Sequence, residues 1–242
     1  MDTASYILFE DENLVVLNKP AGLLTIPDHH NDALPSLYTI LKNKYGKIYI
    51  VHRLDKQTSG VILFAKNEMA HRFLSQQFEL RRVQKFYLGI VNGKLISTKG
   101  TIDFPIMENP SNRGKMIISK KGKPALTDYE ALEQLGVYTL LKLQLHTGRT
   151  HQIRVHLQAI GHPIAVDELY GNGEPVYLSA IKRNYKLSRK EEAERPLLHR
   201  LALHAHQLIF EGPEGREYNF IAPLPKDFQA VLNQLRRQYP QE

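Results

Sequence analysis

Short apolar runs, each cut off by turn residues, recur along this 242-residue chain and limit what it can fold into. Tyr6 to Phe9 and Leu14 to Leu17 are separated by Glu10 to Asn13, while Ile48 to Val51 and Val61 to Phe64 flank a second polar stretch. Runs this short suit strands, since a buried helix needs about 10 residues or more. Phe86 to Val91, Ile102 to Met107, Asp128 to Leu132, Thr139 to Leu145, Leu201 to Phe210 and Tyr218 to Ile221 extend the pattern. Helical spacing is confined to a few segments. Ser36 to Lys44 puts apolar residues at 37, 40 and 41 behind the cap candidate Ser36, and Asn67 to Arg82 carries Met69, Phe73, Leu74 and Phe78 behind Asn67. Thr150 to Ile160 stops at Gly161-His162-Pro163, and Phe228 to Leu235 follows Pro223 and Pro225. Hairpins outnumber strand-helix-strand crossovers. The expected class is α+β, a mixed, mainly antiparallel sheet with flanking helices. Residues 171–195 show no periodicity and read as a loop insertion.

Composition narrows the function classes. Hydrophobic residues make up 42% and charged residues 24%, an ordinary globular balance. No apolar run approaches the ~18 residues of a membrane span, and Met1 to Glu12 lacks a signal-peptide pattern, so a soluble, cytoplasmic protein is expected. The absence of cysteine excludes disulfides, thiolate zinc sites and a cysteine nucleophile. With 32 Lys plus Arg against 25 Asp plus Glu, the net charge of +7 favours a polyanionic partner. Five basic and no acidic residues lie between Arg113 and Lys123, around Met116, Ile117 and Ile118, which reads as a basic hairpin arm. A second cluster, Lys182 to Lys190, is blunted by Glu191, Glu192 and Glu194. The 11 histidines do not form a metal pattern: His151 and His156 are five apart rather than four, His29-His30 sits in a loop, and His204 and His206 alternate on a strand. Neither a phosphate-binding loop nor a dinucleotide fingerprint is present, so no cofactor is expected.

The polar stretch between Ile48–Val51 and Val61–Phe64 contains the string His52 to Gly60, HRLDKQTSG, whose Thr-Ser-Gly reads as a turn before the apolar run. On an extended segment Arg53 and Asp55, two apart, project to one side, with Leu54 anchored behind them. Alone, such a pair is compatible with a surface ion pair contributing ~0 to 1 kcal/mol.

This string resembles the catalytic signature of the RluA-type pseudouridine synthases. Leu17-Asn18-Lys19-Pro20-Ala21-Gly22 resembles that family's Asn-Lys-Pro-x-Gly motif, and Lys85-Phe86-Tyr87-Leu88 its Lys-x-Tyr segment. Gly148-Arg149-Thr150-His151-Gln152-Ile153-Arg154 resembles its Gly-Arg-x-His-Gln-x-Arg segment, and Gly161-His162-Pro163-Ile164 and Leu203-His204-Ala205 follow in order. Leu23-Leu24-Thr25-Ile26-Pro27 is closest to the RluA subgroup. The resemblance implies one catalytic domain over residues 1–242, without room before Tyr6 for a separate RNA-binding module. Its implied activity is cofactor-free isomerisation of uridine to pseudouridine in large-subunit ribosomal RNA, transfer RNA or both.

That reaction breaks the N1–C1' bond, turns the uracil and joins C5 to C1'. A carboxylate can attack C1' or remove the C2' proton to form a glycal. The resemblance makes Asp55 this carboxylate, Arg154 the guanidinium that keeps it charged and oriented, and Tyr87 the residue against the target base. Arg53, able to fill the gap left by an unstacked uridine, is expected to touch RNA, as are Arg149, His52, Lys19 and the arm residues Arg113 and Lys115. Relatives usually carry glycine before the aspartate that follows His-Pro; here the sequence is Ala165-Val166-Asp167, and a changed backbone bend is expected. Two rivals remain: a non-catalytic RNA-binding protein on the same fold, and a nucleoside hydrolase, which lacks a second carboxylate within these motifs.

Overall fold

The structure is a computed structural model that describes residues 4–28, 31, 33–182, 185–186, 193–212 and 214–240. The His29-His30 pair and much of the 182–192 charge cluster lie outside the described residues. In chain order the strands and helices are β1 (Ile7–Glu10), β2 (Leu14–Lys19), α1 (Leu37–Tyr45), β3 (Tyr49–Ile50), β4 (Ser59–Ala65), α2 (Glu68–Glu79), β5 (Gln84–Asn92), β6 (Lys99–Asp103), β7 (Ile106–Glu108) and β8 (Met116–Ile118). There follow β9 (Leu126–Leu135), β10 (Tyr138–Leu145), α3 (Gln152–Ala159), α4 (Leu178–Ile181), β11 (Leu203–Glu211), β12 (Glu217–Ile221) and α5 (Lys226–Gln238). The chain divides into two compact units, Met1–Tyr87 with His204–Pro223, and Leu88–Leu203 with Leu224–Glu242. The expected class holds: strands pair mostly antiparallel, and β4 and β11 supply a parallel pair.

In the first unit, β4 is buried along its whole length, as its continuous apolar run Val61–Ala65 demands. It pairs antiparallel with β2, from Leu14↔Ala65 to Lys19↔Gly60, and with β3, and parallel with β11 through His204↔Ser59 and Ala205↔Gly60. The Thr-Ser-Gly turn expected from the sequence is displaced: the reverse turn comes earlier, closed by Thr58 N–H donating to the Asp55 carbonyl at 3.1 Å. Ser59 and Gly60 already belong to β4. Gly60 is there because its φ of 119° suits no L side chain and an added Cβ would collide with the Ala205 backbone. Beside it, Ser59 Oγ and His204 Nδ1 lie 2.9 Å apart, and His204 Nε2 is 3.1 Å from the Ala222 carbonyl. Both expected caps form: Ser36 Oγ accepts from Thr39 N–H at 3.1 Å to start α1, and Asn67 Oδ1 from Ala70 N–H at 2.9 Å to start α2.

In the second unit the strand order is β5, β10, β9, β6. The run Ile102–Met107, expected as one strand, is split into β6 and β7 at Phe104-Pro105, where proline has no N–H for a ladder. β7 and β8 form the expected hairpin arm, in register from Ile106↔Ile118 to Glu108↔Met116. The arm is rooted rather than free: Ile106, Ala125, Val155 of α3 and Tyr170 form a buried cluster, with Met116, Ile118 and Leu169 packed on it. The described part of residues 171–195 contains α4, too short to leave a periodic signal, and Val176 is bridged to Leu198. α5 buries Phe228, Val231, Leu232 and Leu235, one stripe of a helix. Among the described residues no helix is long and apolar enough to cross a membrane.

Candidate active site and RNA-facing arm

Asp55 lies half-buried on the loop between β3 and β4, and the backbone on both sides of it is clamped. Upstream, the buried Thr25 hydroxyl donates to the Leu54 carbonyl at 2.8 Å and accepts from Leu54 N–H at 3.2 Å. Downstream, the Lys56 carbonyl accepts from Gly22 N–H at 2.8 Å and from Lys19 Nζ at 3.1 Å. Lys19 also donates to the Pro20 and Leu23 carbonyls at 3.0 and 2.8 Å, and none of its surface is exposed. The expectation that Lys19 touches RNA is therefore corrected. Its ammonium satisfies three carbonyls and ties the 20–23 turn to the Asp55 loop, whereas a solvent-facing role would need a reachable tip.

His52 is likewise occupied within the protein. Its Nε2 accepts from Leu63 N–H of β4 at 3.0 Å, and its ring stacks on Phe78 of α2 with centroids 4.7 Å apart. Burial, and secondarily the charge of Lys85, lowers its pKa from 6.5 to about 3, so the imidazole is neutral and fixes the loop to the sheet. A ring bonded to β4 and stacked on α2 serves the loop's position. Arg53 is exposed on the same loop.

Tyr87 and Lys85 project from the same side of β5. Tyr87 is 8% exposed, and no hydrogen bond to its hydroxyl is found among the described residues. Burial, followed by the nearby Asp55 carboxylate, raises its pKa well above the ordinary tyrosine value. The negative charge of Asp55 thus disfavours the phenolate form of Tyr87. Lys85 Nζ lies 5.9 Å from the centre of the Phe78 ring, and burial, with the charge of Arg81, brings its pKa down to about 8.

In the second unit, Arg154 on α3 makes a bidentate pair with Asp167, Nε to Oδ2 at 2.8 Å and Nη2 to Oδ1 at 2.7 Å. Asp167 Oδ1 also accepts from Leu169 and Tyr170 N–H, each at 3.0 Å, and the Asp167 side chain is fully buried. The Arg154 guanidinium lies 4.9 Å from the centre of the Tyr170 ring. Val166, directly before Asp167, has φ 59°, a left-handed conformation that glycine takes freely and a β-branched residue does not. The altered bend expected from losing glycine is thus a glycine-like bend held under strain. Bonds at 165 and 167 enforce it, Ala165 N–H to the Ile90 carbonyl and Asp167 N–H to the Ile164 carbonyl.

Arg149 donates from Nε to the Pro124 carbonyl at 3.1 Å at the mouth of α3. The buried Gln152 organises this entry: its Oε1 accepts from Arg149 N–H and the Thr147 hydroxyl, and its Nε2 donates to the Leu126 carbonyl and Thr127 Oγ1. One turn on, the fully buried His156 bonds Thr127 Oγ1 and the Phe104 carbonyl, which makes it a structural imidazole. Arg113 is exposed in the turn between β7 and β8, and Lys115 Nζ reaches 5.7 Å from the centre of the Tyr170 ring. Sequence reasoning assigned no role to Thr25, Gln152, Asp167 or Tyr170. Thr25, Gln152 and Asp167 lie inside strings quoted above and Tyr170 three residues beyond Asp167, so the signal was the string; the missing information was its three-dimensional partner.

Comparison with known proteins fits this layout. The family model described as RNA pseudouridylate synthase matches residues 13–159. The chain is 40% identical over 238 residues to the ribosomal large subunit pseudouridine synthase D of Nitrosomonas europaea, covering 95% of this chain and 65% of that protein. It is 41% identical to an uncharacterized RNA pseudouridine synthase of Chlorobaculum parvum, covering 95% and 74% respectively. The chain thus spans less than two thirds of the Nitrosomonas relative and 61% of a Neisseria meningitidis synthase D. Among solved structures, human RNA pseudouridylate synthase domain containing 4 superposes with a TM-score of 0.73 at 30% identity, over 97% of this chain and 94% of that one. Fold, motif order and sequence kinship agree, and the chain belongs to the RNA pseudouridylate synthase family.

Proposed function

We propose that this chain works as one catalytic domain that isomerises uridine to pseudouridine in RNA, with Asp55 as the carboxylate acting on the ribose. The observation that carries this reading is the two-sided clamp on Leu54 and Lys56, which fixes the Asp55 backbone from both sides. The reaction demands a reactive group held in place before substrate arrives, and backbone clamping meets that demand. The net change moves one bond: N1–C1' breaks, C5–C1' forms, the C5 proton leaves to solvent and N1 takes one up. No oxidant, reductant or second substrate is needed for that balance.

Tyr87 is the proposed base-side residue. Its raised pKa keeps it un-ionised at neutral pH, which favours packing against the uracil or hydrogen bonding over service as a standing phenolate. Arg154 is the proposed partner of the Asp55 charge on the strength of its matching motif. Arg53, exposed beside Asp55, is proposed to occupy the space the uridine leaves, and Arg149, Arg113 and Lys115 to hold phosphates. Large-subunit ribosomal RNA is the favoured substrate because the Nitrosomonas and Neisseria relatives are named ribosomal large subunit pseudouridine synthase D. The test is tritium release from RNA labelled at uridine C5. Wild-type protein should release it, and Asp55→Asn should lose about a thousandfold or more; an Asp55→Asn protein with full activity would falsify the assignment.

A further inference from the structure

Tyr170 is buried, lies on no strand or helix, and joins three things that otherwise have separate jobs. Its hydroxyl accepts from Met116 N–H of β8 at 2.7 Å, so it grips the basic arm by the backbone. The same hydroxyl lies 3.0 Å from His151 Nδ1 at the entry to α3, and its ring packs edge-on against that imidazole. Its ring face carries the Arg154 guanidinium at 4.9 Å, and its N–H helps hold Asp167, the arginine's own carboxylate. His151 adopts a left-handed backbone, φ 53°, a conformation uncommon outside glycine. Such departures persist where surroundings over-determine them.

We infer that Tyr170 is a positioning residue that couples RNA seated on the basic arm to the setting of Arg154. The arm offers Arg113, Lys120, Lys121 and Lys123 to solvent, while Lys115 lies over the Tyr170 ring. A phosphate chain drawn to these cations pulls on β8, and the bond at Met116 passes that displacement to a ring on which the guanidinium rests. A merely structural tyrosine would fill the cluster of Ile106, Ala125 and Val155 just as well as phenylalanine. The hydroxyl is what the cluster does not require. This inference rests on the isomerase reading for its kinetic consequence, but its physical core concerns RNA binding alone.

The experiment uses the full chain and an unmodified transcript of large-subunit ribosomal RNA, with both pseudouridine formation and equilibrium binding followed across a salt series. In Tyr170→Phe the KM should rise about tenfold, the size expected for one lost hydrogen bond, and kcat should fall by about as much because bound RNA no longer sets Arg154. The slope of log Kd against log salt should become shallower by about 1 to 2, as if phosphate contacts had been lost, although no charge was removed. The arm variant Arg113→Ala, Lys120→Ala, Lys121→Ala should flatten the slope directly, and combining it with Tyr170→Phe should flatten it little further. Losses that simply add, or an unchanged slope in Tyr170→Phe, overturn the inference. Should Tyr170→Phe fold poorly, Met116→Pro removes the same N–H from the arm at the first residue of β8, where proline is tolerated, and must give the same flattening. If the wild type binds the transcript without isomerising it, the functional reading fails, and the salt slopes still decide the role of Tyr170.

Discussion

The Asp55 loop and the Arg154 cradle hold their key side chains by opposite means. Around Asp55 the bonds run to backbone: Thr25, Gly22 and Lys19 grip residues 54 and 56, and His52 grips β4. Around Arg154 they run to the functional group itself, through the bidentate Asp167 pair and the Tyr170 ring, on a backbone strained at Val166. The Asp55 loop is fixed from beneath, through its main chain. A residue that supplies charge keeps its function while hydrogen-bonded, and a guanidinium has donors enough to share. The contrast predicts that damage to the loop appears first in turnover, and damage to the cradle first in stability.

The largest effect should come from Asp167→Asn. The amide oxygen can still accept from the Leu169 and Tyr170 N–H groups, but the charge opposite a largely buried Arg154 is gone, costing about 3 to 5 kcal/mol. Urea unfolding should register that drop; a loss below about 1 kcal/mol would mean that Arg154 draws its compensation elsewhere. Next is Thr25→Val, which leaves the Leu54 N–H and carbonyl without their hydroxyl and should cost about 1 to 3 kcal/mol. Its kcat should fall further than the unfolded fraction explains, with recovery in Thr25→Ser; equal recovery failure in both would break the clamp argument.

Acid should weaken the fold by a smaller, graded amount. Folded His52 titrates near 3 and the unfolded chain near 6.5, so below 6.5 unfolding takes up a proton and stability falls as pH drops, by about 1 kcal/mol per unit towards the folded value. Burial lowers His156 too and acts in the same direction. Melting curves at pH 7 and 5 should therefore differ, and His52→Gln, which keeps an acceptor for Leu63 N–H, should shrink the difference. The smallest change is expected for Val166→Gly. Relief of left-handed strain is worth about 1 to 2 kcal/mol and the lost burial of the valine side chain about the same, so the net should stay within about 1 kcal/mol.

Local order was legible where a single stretch carries its own reason. Ser36 and Asn67 were readable as caps because the acceptor and the helix it caps are neighbours in sequence, and β4 because the four successive apolar residues Val61 to Phe64 leave no exposed face. Motif order led to Asp55, Tyr87 and Arg154 as candidates. Misreadings arose where burial decides. Lys19 looks like an RNA ligand by residue type, yet its ammonium meets backbone carbonyls that no periodicity reveals. Asp167 and Tyr170 meet partners 13 and 54 residues away, beyond any local pattern. The split at Phe104-Pro105 was visible as a proline, but its consequence depended on β7 turning to pair with β8.

The parallel contact between β4 and β11 also has a timetable. Ser59 and His204 are 145 residues apart, and Gly60 has shed its side chain to admit the Ala205 backbone. During synthesis the strand that follows the Asp55 loop must wait with the start of one edge open, β3 covering only Phe64 and Ala65, until the chain has grown past Ala205. At about 5 to 20 residues per second that is a delay on the order of ten seconds, during which an unpaired β-edge is exposed to its neighbours. A nascent chain of this build cannot finish the sheet beside the Asp55 loop until residues about 145 positions further on have been made, and slow or stalled translation would lengthen its period of greatest vulnerability to aggregation.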